Sequence, residues 1–131
     1  MIEKPDLKRH AGTKEVEVEN IIDFTKLPGI ETLQFVADEL NRGGENLSKE
    51  DWDATSRSVI DWLRKQYRNN KEDGWSSLPY LTISKYGVGP EDGTHRIVAA
   101  LAEGAKTIRC VISPTLLKNQ SILSQLIYTG E

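Results

Sequence analysis

The chain has one cysteine, Cys110, and two histidines among its 131 residues. A single cysteine forms no internal disulfide, which favours a reduced, cytoplasmic setting and excludes a zinc site built from cysteines. The sequence lacks any run of about 18 apolar residues, so we expect neither a transmembrane helix nor a membrane partner. The polar first residues show no secretory signal.

Positive charge is also scarce: 17 Lys and Arg stand against 20 Asp and Glu, a net charge of −3. This balance argues against a strongly basic, non-specific nucleic-acid binder. The length and the 37% hydrophobic content fit one domain with a modest core. We expect a flexible or irregular arm at residues 1–14 and a single domain over residues 15–131.

Apolar spacing and alternation predict three strands and four helices in the order β-α-α-β-α-β-α, an α+β or small α/β domain. Gly43 and Gly44 are expected to end the first helix, and Ser48 with Asp51 to begin the longest one, of roughly 20 residues. The other elements are expected as strands at 15–22, 78–83 and 107–112 and as helices at 30–42, at 94–103 and from Ser113.

Glycine and proline between the last two of these strands predict a loop at residues 87–90. Three tryptophans are expected mostly in the core because of their spacing; they are Trp52, Trp62 and Trp75. Trp75 and Tyr80 could instead stack on a base, although packing between helix and strand is the preferred interpretation.

The segment that carries chemistry is the turn before the third helix. Gly93 allows a positive φ or a close approach of a ligand, and the first helical turn then contains Thr94, His95 and Arg96. A helix N-terminus has unpaired N–H groups and the positive end of the helix dipole, so it favours an anion. Arginine can bind phosphate oxygens through two hydrogen bonds, and the hydroxyl and imidazole can donate further ones.

A purely structural interpretation of the same residues stands beside this one. Asp92 can cap the helix, Gly93 can serve the turn, and His95 and Arg96 can be solvated. The sequence contains neither a P-loop nor a Rossmann fingerprint.

Further along, the pattern resembles a known family. Residues 92–100 read DGTHRIVAA, followed by Gly104 and the strand at 106–112, and together they resemble the core of the ParB/sulfiredoxin superfamily. The similarity is closest over residues 78–112 and extends more weakly to the strand at 15–24. It implies an α+β fold of the ParB/sulfiredoxin type, with a small mixed sheet surrounded by helices.

Members of this superfamily bind nucleotides, with the turn and the helix start on the phosphates. By position, the resemblance implies that Gly93, Thr94, His95 and Arg96 contact phosphate. Asp92 would shape the turn or help to hold a metal through water. The implied ligand is a nucleoside triphosphate or diphosphate (ATP, ADP or CTP), together with Mg²⁺.

Family activities include CTP-dependent DNA clamps, sulfinic-acid reduction, free-serine phosphorylation and nucleases, so the fold does not select the reaction. Sulfiredoxin has a reactive cysteine where this chain has Thr94, and Cys110 is expected to be a core residue. The chain has room for one helix after the last strand, which argues against a clamp with a helix-turn-helix domain. The serine kinases resemble the turn more closely and need a carboxylate near the first strand; Glu17 and Glu19 are the candidates, unless they form a plain exposed strand face.

The sequence thus predicts a nucleotide-phosphate-binding domain that supports phosphoryl transfer or nucleotide hydrolysis, as an ATPase, a CTPase or a small-molecule kinase with a small-molecule or protein acceptor. Arg96 would stabilise phosphate charge, and His95 would orient an oxygen or act as acid or base. The alternative is a non-catalytic module that binds a nucleotide or a protein.

A third hypothesis is a ParB-like DNA-binding protein or nuclease. It would use the basic residues of the long helix. The acidic balance of the chain disfavours this hypothesis, and the basic residues can equally form a solvated face with ion pairs. These residues are Arg57, Arg64, Lys65 and Arg68.

Overall fold

The computed structural model of the chain describes residues 18–130, which form a four-stranded mixed sheet and five helices. The predicted α+β class is confirmed. The strands are β1 (Val18–Asp23), β2 (Tyr80–Ser84), β3 (Gly87–Asp92) and β4 (Thr107–Ile112). The helices are α1 (Ile30–Asn41), α2 (Ala54–Asn70), α3 (Thr94–Ala102), α4 (Pro114–Leu117) and α5 (Gln120–Leu126), and single 3₁₀ turns lie at Phe24–Lys26 and Lys71–Gly74.

The strands are ordered β1-β4-β2-β3 across the sheet. β1 pairs with β4 and β2 pairs with β3 in antiparallel fashion, whereas β2 and β4 run parallel. Two parallel neighbours need a crossover connection, and here β3 and α3 provide it. The turn between β3 and α3 therefore lies within the connection that closes the fold.

The loop predicted at residues 87–90 is wrong, because these residues belong to β3. β3 lies at the edge of the sheet, where Pro90 can be accommodated without the loss of a ladder hydrogen bond. Its pairing with β2 overrides the weak strand preference of glycine and proline. Gly87 has a φ of +105° at the end of the short connection from β2, a conformation that glycine adopts without strain.

The core is centred on α3, in which every residue from Ile97 to Leu101 is buried. Both α1 and α2 pack against this helix. β4 contributes alternate buried side chains, Ile108, Cys110 and Ile112, to the same cluster. Since α3 is held by the sheet core and by two helices, the turn that begins it has little freedom to move.

The predicted start of α2 at Ser48 is wrong. Asp53 is the N-cap, and its carboxylate accepts from the backbone N–H of Ser56. The Ser48 hydroxyl instead accepts from the N–H groups of Glu50 and Asp51 in a preceding turn. Serine and aspartate are both favourable N-cap residues, and the helix begins after Asp53, the one next to its first packed turn.

The three tryptophans differ in environment, so their common assignment to the core is only partly right. Trp75 is buried and its Nε1 donates to the carbonyl of Leu63. Trp62 is 55% exposed on α2, and Trp52 is half-buried before that helix. Trp75 and Tyr80 are both buried, as the packing interpretation requires.

Most of the remaining predictions agree with the structure. β4 has the predicted bounds, α3 ends one residue before its predicted end, and Gly104 follows with a φ of +87°. Ser113 caps α4 by accepting from the N–H of Leu116. The single final helix is in fact two short ones, α4 and α5, which are separated by Lys118 and Asn119.

Two predictions concern residues outside the described range: the arm at 1–14 and the first residues of the strand at 15–22. Within residues 18–130, none of the helices is both long and apolar enough to cross a membrane.

Candidate functional site

The turn between β3 and α3 connects the edge strand of the sheet to the central helix. Asp92 is the last residue of β3 and lies opposite Tyr80, while Gly93 is the N-cap of α3. The structural alternative in which Asp92 occupies the cap position is therefore wrong. Glycine has no side chain with which to cap the helix, so the N-terminus of α3 lacks a cap from that position.

The first turn of α3 presents backbone donors. The first intrahelical bond runs from the N–H of Ile97 to the carbonyl of Gly93, which leaves the N–H groups of Thr94, His95 and Arg96 without an intrahelical acceptor. The first turn contains no acidic residue. The positive end of this nine-residue helix therefore meets no acidic side chain within the first turn itself.

Arg96 is the clearest electrostatic feature of the turn. The side chain is partly buried, and its Nε atom is buried without a hydrogen-bond partner among residues 18–130. None of the ion pairs within that range includes it. A buried donor without an acceptor costs free energy, so an acceptor for this Nε–H group, which residues 18–130 do not provide, would be stabilising.

His95 packs against an aromatic ring from another part of the chain. The centroids of His95 and Trp52 are 5.9 Å apart, and the ring planes meet at 75°. This edge-to-face contact holds the imidazole against the segment between α1 and α2. Sequence reasoning missed Trp52 as a neighbour of the turn, because no periodicity or spacing links the two segments.

The two candidate carboxylates near the first strand have different outcomes. Glu17 lies outside the described residues. Glu19 has its side chain 55% exposed and lies 3.8 Å from Arg109 Nε. Glu19 lies on β1, opposite Val111 of β4. Three strand spacings, from β1 through β4 and β2 to β3, separate it from Asp92, so the two backbones are about 14 Å apart. The structure does not bring Glu19 beside the turn.

The basic residues of α2 are largely engaged within the chain. Arg64 and Arg68 both donate to one oxygen of Glu103, at 2.6 Å each. Arg57 donates to the carbonyls of Trp52 and Gly44. These contacts favour the interpretation of the basic residues as ion-paired surface, and they leave fewer cations for a nucleic acid.

No group of three or more His, Cys, Asp or Glu side chains in residues 18–130 is arranged to hold a metal ion. A magnesium ion that accompanies a nucleotide needs only one or two carboxylates, since phosphate oxygens and water complete its coordination. Asp92 is the carboxylate that the turn itself offers for that purpose.

Cys110 is fully buried on β4, as expected of a small core residue. Burial raises the pKa of its thiol to about 12, with Glu72 contributing in the same direction. The thiolate fraction at neutral pH is then negligible, which argues against a nucleophilic role.

We therefore expect Cys110 in the folded protein to react with a disulfide reagent roughly 100-fold more slowly than in urea. Absorbance of the released thiol at pH 8 provides the rates, with free cysteine as the reference. Equal rates in the folded and unfolded protein would show that the thiol is accessible.

In comparisons with known proteins, no family model, curated protein or solved structure matches this chain. The resemblance to the ParB/sulfiredoxin superfamily stays a prediction that depends on the residues of the turn and its flanking elements.

Proposed function

We propose that this chain binds the phosphate groups of a nucleotide at the turn formed by Gly93, Thr94, His95 and Arg96, and that this site supports phosphoryl transfer or nucleotide hydrolysis. The observation that carries the proposal is the buried Nε of Arg96, which has no acceptor among residues 18–130 and lies beside a helix N-terminus whose N-cap is glycine. An anion with several oxygens meets both needs at once.

The expected chemistry is electrostatic. The Arg96 guanidinium and the N–H groups of the first turn of α3 would donate to phosphate oxygens, and the helix dipole would add to the attraction. In phosphoryl transfer these donors stabilise the charge that the transferring group carries in the transition state. The Thr94 hydroxyl would add a donor, and His95 would orient an oxygen or move a proton.

A non-catalytic nucleotide-binding module is the second candidate, and the position of Glu19 favours it. A kinase of the type that the turn resembles needs a carboxylate beside the phosphates, whereas Glu19 lies on β1, three strand spacings from β3. Turnover separates the two candidates. An enzyme releases phosphate or labels an acceptor when Mg²⁺ is present, and His95→Gln lowers that rate while binding remains.

The first test is thermal unfolding with ATP, ADP, CTP and GTP, each with and without Mg²⁺. A ligand that binds only the folded state at 100 times its Kd stabilises it by about 2.7 kcal/mol. We expect at least one nucleotide to raise Tm in the wild type, and we expect Arg96→Ala to lose that rise.

Lys65→Ala is the matched control, because it removes one positive charge from an exposed position on α2. It should keep the nucleotide effect. A rise in Tm that survives in Arg96→Ala, or that is lost equally in both variants, would show that Arg96 does not bind the phosphate.

A further inference from the structure

A cavity that the sequence does not predict lies between α1 and α2, at Trp52. It has a volume of about 440 Å³ and is lined by the loop after α1 and by the start of α2, including Gly44, Lys49, Trp52 and Arg57. Cavities that hold small organic ligands commonly range over about 300–1,000 Å³. We refer to it below as the loop cavity.

Trp52 connects the loop cavity to the turn. It lines the cavity, and its ring also contacts His95, the second residue of α3, with the centroids 5.9 Å apart. The pair of rings therefore links the wall of the loop cavity to the first turn of α3.

The cavity wall is held by hydrogen bonds. Arg57 donates from Nε to the carbonyl of Trp52 at 2.8 Å and from Nη2 to the carbonyl of Gly44 at 2.9 Å, so it joins both ends of the loop. Gly44 has a φ of +78°, and a Cβ there would overlap the Arg57 guanidinium. Asp53 is occupied as the N-cap of α2. A wall held in this way is formed before a ligand arrives, which lowers the cost of binding.

From this geometry we infer that the loop cavity takes the aromatic base of the nucleotide whose phosphates bind at the turn, with the base stacked on Trp52. The inference depends on the proposed function, since the phosphate site supplies the other end of the ligand. An aromatic ring can stack on any nucleotide base, because every base is planar. Trp52 would therefore favour nucleotides over inorganic phosphates without distinguishing one base from another. Lys49 lines the same cavity and supplies a cation there.

The test compares a nucleotide with a ligand that has no base. Titration calorimetry measures the Kd of ATP and of inorganic tripolyphosphate for the wild type, Trp52→Leu, Trp52→Phe and Trp62→Leu. We expect Trp52→Leu to weaken ATP binding roughly 10-fold to 100-fold and to leave tripolyphosphate unchanged. Trp52→Phe keeps a ring and should recover part of the loss, and the exposed Trp62 is the control that should change neither ligand.

Fluorescence provides a second measurement that needs no change at Trp52. In Trp62→Leu, ATP should quench the remaining tryptophan emission with the same Kd, because a stacked base lies against Trp52, and tripolyphosphate should not. This readout also decides the matter if Trp52→Leu fails to fold.

The outcomes separate the two proposals. If Trp52→Leu weakens ATP and tripolyphosphate equally, or weakens neither, the base site is overturned while the phosphate site stands. If tripolyphosphate and the nucleotides all fail to bind the wild type, the proposed function fails, and the base site fails with it.

Discussion

Replacing Gly93 with alanine is expected to lower the free energy of unfolding by about 2–5 kcal/mol. Gly93 has a φ of +99°, in the left-handed region that residues with a Cβ adopt at a cost of about 1–2 kcal/mol. A Cβ at this position would also lie 2.7 Å from Cα of Pro79, a backbone atom that cannot rotate away.

The two penalties add because the surroundings are fixed on both sides. Pro79 lies immediately before β2, and its carbonyl accepts from the N–H of Val111 on β4. The residues that follow Gly93 in α3 are buried in the core from Ile97 onward. Relief of the contact would require either the sheet or α3 to shift, and crowding of this kind costs about 1–3 kcal/mol.

Gly89→Ala is the matched control for this prediction. Gly89 lies in the same strand as Asp92, and a Cβ there would have no atom within 4 Å. Alanine at Gly89 should be neutral or stabilising by about 0.5 kcal/mol, because it lowers the entropy of the unfolded chain. Thermal and urea unfolding measure the stability of both variants. Equal Tm values for Gly93→Ala and Gly89→Ala would contradict the prediction that a Cβ at Gly93 is strained and crowded.

Replacing Glu103 with glutamine is expected to lower the free energy of unfolding by about 2 kcal/mol, between the values of exposed and fully buried ion pairs. Glu103 is the C-cap of α3, and its side chain is only 12% exposed. One of its carboxylate oxygens accepts from both Arg64 and Arg68 of α2.

Glutamine keeps the size of the side chain and removes the charge, so the two guanidinium groups on one helix face would lose the negative charge that they share. Arg64 is the more buried of the two, at 18% exposed against 50% for Arg68. We therefore expect Arg64→Ala to be clearly destabilising and Arg68→Ala to cost less than about 1 kcal/mol.

Urea unfolding of Glu103→Gln, of Arg64→Ala and of the double variant measures the coupling directly. The double variant should lose less than the sum of the single variants, because the residues share one interaction. Exact additivity, or a Glu103→Gln variant as stable as the wild type, would show that the pairing is solvated and weak.

Prediction from sequence succeeded where the pattern is local. The bounds of β4 and nearly all of α3 follow from runs of apolar residues that are flanked by polar residues, with Gly104 just after the end of the helix. The cap at Ser113 is likewise a preference of adjacent residues. β3 was missed because Gly87, Gly89 and Pro90 favour a turn locally, whereas pairing with β2 holds them extended.

The prediction that α2 starts at Ser48 is wrong for a related reason. Ser48 and Asp53 are both acceptable caps, and the choice between them depends on which turn packs first against the core. The spacing of Trp62 predicts a core position, but the side chain is 55% exposed in the structure. Spacing identifies a face of a helix and does not say what that face contacts.

The glycine and the polar side chains from Asp92 to Arg96 are recognisable from the amino-acid sequence, because they are adjacent in the chain. Three features of the site depend on packing between distant segments: Pro79 leaves no room for a side chain at Gly93, Trp52 contacts His95, and Arg96 Nε has no acceptor within residues 18–130. Contacts between segments far apart in the chain depend on how the sheet and helices pack, and no local preference specifies them.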